Sequence, residues 1–207
     1  VEMRDGDWAA IVLAGGRGSR LGGRSKAELE FEGRRLLDRA LDAMAGASAI
    51  VVVGAAGLDD DRFQAGVRAV SELPRWGGPA AALAAGLAAL PETPERVVVL
   101  AVDLPRADEA IGPLLAAATG PDGCVAVDAD GVRQPLLAVY RAAALRAAVD
   151  AAYARGGLEN LSLRRVLAGL DLADVALQPG LTDDVDTPDD AARAGIRLRT
   201  SPGNGTP

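Results

Sequence analysis

A chain of 207 residues, 49% hydrophobic and 25% charged, suits one globular domain with a core of its own and excludes a disordered or fibrous protein. A net charge of −7 with only 3% aromatic residues excludes a general nucleic-acid binder, which needs a basic face and stacking rings. No run of about 18 apolar residues is clear of charges and turn residues, so no membrane span is expected.

In chain order, Val1 to Asp7 is acidic and lacks a signal-peptide pattern, which sets a cytoplasmic expectation. Ile11 to Ala14, led in by Trp8-Ala9-Ala10, reads as a buried parallel strand ending in glycines. Ala27 to Phe31 alternates with period two and predicts a short exposed strand turning at Gly33. Leu36, Leu37, Ala40, Leu41 and Met44 share one helical face, and Gly46 ends that helix. Ile50 to Val53 is a second strand, Asp59-Asp60-Asp61 a solvated loop or helix start, and Val67 to Val70 a third strand. Gly78-Pro79 starts an alanine-rich helix over 80–90. Val97 to Val102 is the strongest strand and terminates in Asp103-Leu104-Pro105, before a helix over 108–118.

Cys124 to Val127 and Leu136 to Tyr140 read as strands, with Cys124 a small core residue. Helices over 142–154 and 160–170 follow, then a closing strand over 172–177. Thr187-Pro188-Asp189-Asp190 has a cap, a proline at the first position and acids in the first turn, so it opens a helix to about Ala194. There is no internal repeat. Strands alternating with helices predict an α/β layered fold with a mostly parallel sheet, a single domain over 8–196, and flexible termini at 1–7 and 197–207. Ligands of such sheets sit at the carboxyl ends of strands, where the first glycine loop, Gly54, the Glu72 segment and Asp103 all lie.

That first loop carries the chemistry. Gly15, Gly16, Gly18, Gly22 and Gly23 each cost about 1 kcal/mol of backbone entropy against alanine, a sacrifice that suits backbone amides brought close to a ligand. The charged residues of the loop, Arg17, Arg20, Arg24 and Lys26, are all cationic, which points to phosphate. Lys26 is the only lysine in the chain, a compact point charge where every other cation is a guanidinium. The absence of histidine removes imidazole bases and most transition-metal sites, and one cysteine supports neither a disulfide nor a multi-cysteine zinc site. Two familiar phosphate motifs fail. The dinucleotide fingerprint beginning at Gly16-Arg17-Gly18 meets leucine at position 21, and the phosphate-loop spacing from Gly18 to Gly23 is followed by Arg24-Ser25 in place of lysine and a hydroxyl.

The pattern that fits throughout is Leu13-Ala14-Gly15-Gly16-Arg17-Gly18-Ser19-Arg20-Leu21 with Lys26. It resembles the signature loop of nucleotidyltransferases and, among them, the MobA-like molybdenum cofactor guanylyltransferases. Gly33-Arg34-Arg35-Leu36-Leu37, Gly77-Gly78-Pro79, Asp103-Leu104-Pro105, Gln134-Pro135-Leu136 with Tyr140-Arg141, and Asp186-Thr187-Pro188-Asp189-Asp190 extend the resemblance over about residues 9–195. It implies a three-layer Rossmann-like nucleotidyltransferase fold and Mg²⁺-dependent transfer of GMP from GTP to the phosphate of molybdopterin, releasing pyrophosphate. An acceptor phosphate is already an anion at pH 7, which accounts for the missing histidine base. The resemblance implies Arg20, Lys26 and Asp103 as catalytic residues. It implies Leu13, Ala14, Gly15, Gly16, Gly18, Lys26, Glu72, Gly78, Pro79 and Asp103 as nucleotide-binding, with Asp103 and Asp186 on Mg²⁺. The residues themselves leave Asp103 and Asp186 open between metal ligation and helix capping, and leave open whether Asp184 or Asp186 completes the metal site.

The chain departs from the family pattern at three places. Asp184-Val185-Asp186-Thr187-Pro188 stands where members carry Asn-x-Asn-Thr-Pro, Ala55-Ala56 replaces an asparagine, and Gly156 to Asn160 lacks the usual cation. A cytidylyltransferase or other nucleotidyltransferase on another phosphorylated acceptor is the alternative, although Gly15 stands where cytidylyltransferases usually have alanine. A non-catalytic nucleotide-binding module is the second alternative. Small apolar helix faces permit a homo-oligomer, and the resemblance adds molybdoenzyme-maturation proteins as candidate partners.

Overall fold

Trp8–Leu13 forms β1, and all six of its side chains are buried, as expected for a strand covered on both faces. The computed structural model describes residues 7–16, 21, 23, 25–55, 66–91 and 94–197. β2 (Glu30–Phe31) and β3 (Arg34–Arg35) make a small hairpin; β4 is Ile50–Val53, β5 Val67–Val70, β6 Arg96–Ala101, β7 Gly123–Val127, β8 Arg133–Arg141 and β9 Ala173–Ala176. The helices are α1 (Leu36–Ala43), α2 (Pro79–Ala89), α3 (Ala107–Ala117), α4 (Ala142–Ala154), α5 (Leu163–Val166) and α6 (Pro188–Arg193).

Seven strands form one sheet in the order β5-β4-β1-β6-β8-β7-β9. β1 pairs in parallel with β4 and β6, so Leu13 lies level with Val53 and with Ala101. β8 pairs antiparallel with both β6 and β7, while β7 and β9 are parallel, so β8 alone runs against the rest. The sheet is therefore mostly parallel. Alternation along the strands divides the core in two. Ala10, Val12, Val52, Val98 and Leu100 pack with Leu36, Ala40, Ile111, Leu114 and Ala191, from α1, α3 and α6. Ala9, Ile11, Val51, Val53, Val97 and Val99 pack on the other face with Leu83, Leu87, Leu145, Val149 and Val166, from α2, α4 and α5. The outcome is the expected three-layer α/β architecture.

α2 lies close on the sheet because position 86 is glycine: a methyl there would stand 2.6 Å from Ile11 Cγ2. Two expectations need correction. Only Glu30–Phe31 of the alternating stretch is strand, and Lys26–Glu28 is a 3₁₀ turn with Ala27 buried, because the turn tucks that methyl inward. The helix expected over 160–170 is confined to Leu163–Val166; Asn160, with a left-handed φ of 55°, stays outside it. The expectations for Asp59-Asp60-Asp61 and, apart from Asp7 and Arg197, for the termini lie outside the described residues.

Candidate active site

The parallel strands end level with one another, and their exits form a crevice. Ala14 N donates to Val53 O at 2.8 Å, Val102 N to Leu13 O at 3.0 Å and Gly54 N to Val70 O at 2.9 Å, which carries the ladder one residue past each strand. Beyond it lies a cavity of about 270 Å³ lined by Leu13, Gly15, Gly16, Lys26, Glu72, Trp76, Gly78, Pro79, Ala82, Ala101, Val102, Asp103 and Leu136. Of the residues implied by the sequence, Leu13, Gly15, Gly16, Lys26, Glu72, Gly78, Pro79 and Asp103 thus come together. Ala14 does not line the cavity; it is buried in the core, because strand alternation turns it inward. Arg17, Gly18, Arg20 and Arg24 lie outside the described residues.

Gly54 has φ 84°, a left-handed conformation that suits glycine, and it abuts the β1 loop. Gly78 has φ 87° and precedes Pro79, the first residue of α2, whose ring fixes a helical φ where an amide has no partner anyway. Glu72 is 7% exposed, and its Oε1 accepts the Trp76 amide at 3.1 Å.

Asp103 leaves the end of β6. Helix α3 begins later, with Arg106 at its cap position, so Asp103 is not its N-cap. The peptide after Asp103 is anchored from α1: the buried Arg39 donates through Nε to Pro105 O at 2.8 Å and forks onto Asp108 with both oxygens at 3.0 Å, while lying 5.0 Å over Phe31. Val185 N donates to Asp103 O at 3.0 Å, which draws the 184–186 segment over the strand end. In that segment, which belongs to no helix or strand, Asp184 and Asp186 flank the buried Val185. Carboxylate oxygens of Asp103, Asp184 and Asp186 consequently lie within 4.8 Å of one another.

Asp190 carries the capping of α6. Its Oδ2 accepts from Thr187 N at 2.7 Å and Asp186 N at 3.2 Å, while its own amide donates to Thr187 Oγ1 at 3.2 Å. The Asp186 side chain meets Lys26 instead.

Lys26 Nζ donates to Asp103 Oδ2 at 2.7 Å and to Asp186 Oδ1. Burial alone pulls the ammonium down, but Asp103 and Asp186 outweigh it and raise its pKa above the ordinary lysine value. Burial pushes the Asp184 carboxyl above the usual aspartate range, and repulsion from Asp103 and Asp186 adds to the effect. Three hard oxygen donors, Asp103 and Asp186 partly buried against an ammonium and Asp184 exposed beside them, fit a divalent cation of the Mg²⁺ class. Asp184 also lines two neighbouring cavities of about 420 and 520 Å³, the first beside Arg106 and Arg193 and the second beside Gln134 and Asp128.

Sequence reasoning missed Trp76 as a wall of the cavity. Its signal was one of only two tryptophans standing beside a glycine pair.

Comparison with known proteins agrees with this architecture. The family model of the MobA-like NTP transferase domain matches residues 10–174. A molybdenum cofactor guanylyltransferase of Pseudomonas putida (strain GB-1) is 31% identical over 173 residues, 79% of this chain and 86% of that protein. Among solved structures, molybdopterin-guanine dinucleotide biosynthesis protein A from Archaeoglobus fulgidus superposes with a TM-score of 0.66 at 23% identity, covering 90% of this chain and 96% of that one. The 2-C-methyl-D-erythritol 4-phosphate cytidylyltransferase of Francisella tularensis superposes with a TM-score of 0.70 at 15% identity, covering 91% and 98%. At these identities the superpositions show the fold, which is that of nucleotidyltransferases. The chain belongs to the MobA-like NTP transferase family and is a nucleotidyltransferase enzyme. Among the described residues no helix is long and apolar enough to cross a membrane.

Proposed function

We propose that the enzyme transfers GMP from GTP to the phosphate of molybdopterin and releases pyrophosphate, with Mg²⁺ as its metal. The observation that carries this reading is the convergence of Gly15, Gly16, Lys26 and Asp103 on one cavity, with Asp184 and Asp186 folded against it. The names of the relatives at about a third identity support the guanylyl donor and the molybdenum cofactor acceptor.

In this reading an oxygen of the acceptor phosphate attacks the α-phosphorus of GTP. A new P–O bond forms, the bond between the α-phosphorus and its bridging oxygen breaks, and pyrophosphate leaves with that electron pair. No proton has to be removed, so the chain needs no base; its residues position and neutralise. The backbone at Gly15 and Gly16 approaches the nucleotide without side-chain obstruction. Lys26 leaves its carboxylate partners to neutralise the triphosphate, joined by Arg20. Glu72 takes the donor N–H groups of the base edge, and Gly78-Pro79 bounds the base. Asp103 and Asp186, with Asp184 beside them, hold Mg²⁺, which when bound supplies charge neutralisation at phosphate oxygens. The acceptor comes from the side of Asp184, where the two neighbouring cavities open.

A second reading, CTP as donor, is favoured by Asp184-Val185-Asp186, the acidic counterpart of Asn-x-Asn. Thermal shift with GTP, CTP, ATP and UTP, each with and without Mg²⁺, separates the two. Preferential stabilisation by GTP with Mg²⁺ is expected; a CTP preference overturns the guanylyl assignment. Pyrophosphate release on adding molybdopterin tests the acceptor, and its absence with GTP bound overturns that half.

A further inference from the structure

The chain is poor in aromatic surface and holds two tryptophans. Trp8 is 3% exposed and belongs to the core. Trp76 is 45% exposed and lines the cavity that also contains Gly15, Gly16, Lys26 and Asp103. A large apolar ring left in water beside a cavity forgoes burial that most tryptophans obtain, which suits a ring that is covered only when something enters.

The backbone holds it there. Trp76 has φ 66°, an uncommon conformation for a bulky side chain and one that persists only where neighbours impose it. The buried Glu72 accepts its amide, Gly77 N donates to Pro74 O at 3.0 Å, and Asn160 N donates to Gly77 O at 2.8 Å. The Arg75 guanidinium lies 5.7 Å from the ring centroid, so the indole already accepts a planar neighbour. The cavity lining combines charge, at Lys26 and Asp103, with an aromatic and apolar part at Trp76, Pro79 and Ala82. A nucleoside triphosphate is divided in the same way, into an anionic chain and a flat ring.

We propose that the Trp76 indole stacks on the base of the donor nucleotide and is a positioning residue for it, favouring a purine over a pyrimidine because the larger ring covers more indole. This rests on the reading of the cavity as the donor site. Stacking of a base on an aromatic side chain, measured by alanine substitution, corresponds to a loss of about tenfold or more in affinity.

The test compares the wild type, Trp76→Phe and Trp76→Ala by calorimetry with Mg²⁺ and either GTP, CTP or inorganic tripolyphosphate, and follows tryptophan emission. Trp76→Ala should weaken GTP by about tenfold, CTP by less, and leave tripolyphosphate unchanged, while Trp76→Phe stays within about threefold of wild type for GTP. GTP should quench the emission of the wild type but not of Trp76→Phe, because Trp8 lies at the far end of β1. Unaltered GTP affinity in Trp76→Ala, equal weakening of GTP and tripolyphosphate, or GTP binding to wild type without quenching overturns the stacking role alone. Failure of the wild type to bind any nucleoside triphosphate overturns the donor-site reading and the stacking role with it.

Discussion

Gly54 and Gly15 pass in backbone contact: a methyl group built on Gly54 would stand 2.4 Å from Gly15 Cα, nearer than a real Cβ ever comes. The end of β4 thus props the loop that leaves β1. Gly54→Ala combines that clash with a φ of 84° and should cost about 2 kcal/mol or more. The displaced Gly15 loop should lower kcat/KM for nucleotidyl transfer by about tenfold beyond what instability explains. Urea unfolding and steady-state kinetics below the unfolding transition check the two parts separately.

Lys26 and the acids should separate activity from folding. Lys26→Met and Asp103→Asn are each expected to lower turnover by at least about a hundredfold while leaving far-UV circular dichroism unchanged. The two differ toward metal. Lys26 Nζ lies against Asp103 and Asp186, so it competes with a divalent cation for the same oxygens. Without nucleotide, Lys26→Met should bind Mn²⁺ more tightly than wild type and Asp103→Asn more weakly, as read by paramagnetic resonance titration. Equal metal affinity in the three proteins would sink the assignment of these acids.

The cap of α6 positions the Asp186 backbone, so its loss should be felt in both stability and rate. Thr187→Ala should destabilise by about 1 kcal/mol and lower kcat more than KM. The acid limb of stability carries a related signature. The Asp190 carboxyl is pulled down to about 2, first by the Thr187 hydroxyl and then by Arg193. A folded value below the ordinary 3.8 means its stabilisation is complete above about 3.8 and is lost as pH falls toward 2. Thermal unfolding of Asp190→Asn against wild type should therefore show a gap at neutral pH that closes on acidification through this window.

Arg39 ties α1 to the peptide that follows Asp103, and the residue is 9% exposed. Arg39→Met leaves the buried Pro105 O without its donor, while the exposed Asp108 carboxylate turns to water, and should cost about 1–2 kcal/mol in denaturant unfolding. Arg39→Lys should recover little, since an ammonium cannot reproduce the planar fork or the stacking over Phe31.

Much of this protein was legible without coordinates. The glycine loop after Leu13, the apolar run ending at Asp103, the lone Lys26 and the Thr187 cap are local signals, written in a few adjacent residues by backbone entropy, strand burial and capping chemistry. The alternation at 27–31 and the apolar residues over 160–170 were local signals too, yet Ala27 sits in an inward turn and only Leu163–Val166 is helical, with Asn160 left-handed outside it.

By itself the amino-acid sequence determined the order of strands and helices, the crevice-forming loops and the charged residues at their ends. Only the tertiary structure decided that β8 runs antiparallel, that Ala14 faces the core, and that Asp184 joins Asp103 and Asp186. It alone set Lys26 between carboxylates 77 and 160 residues away. The reason is physical. Propensity, capping and burial period act within a turn or a strand. The meeting of side chains so far apart depends on how the packed layers and the Val185–Asp103 backbone bond close the chain on itself.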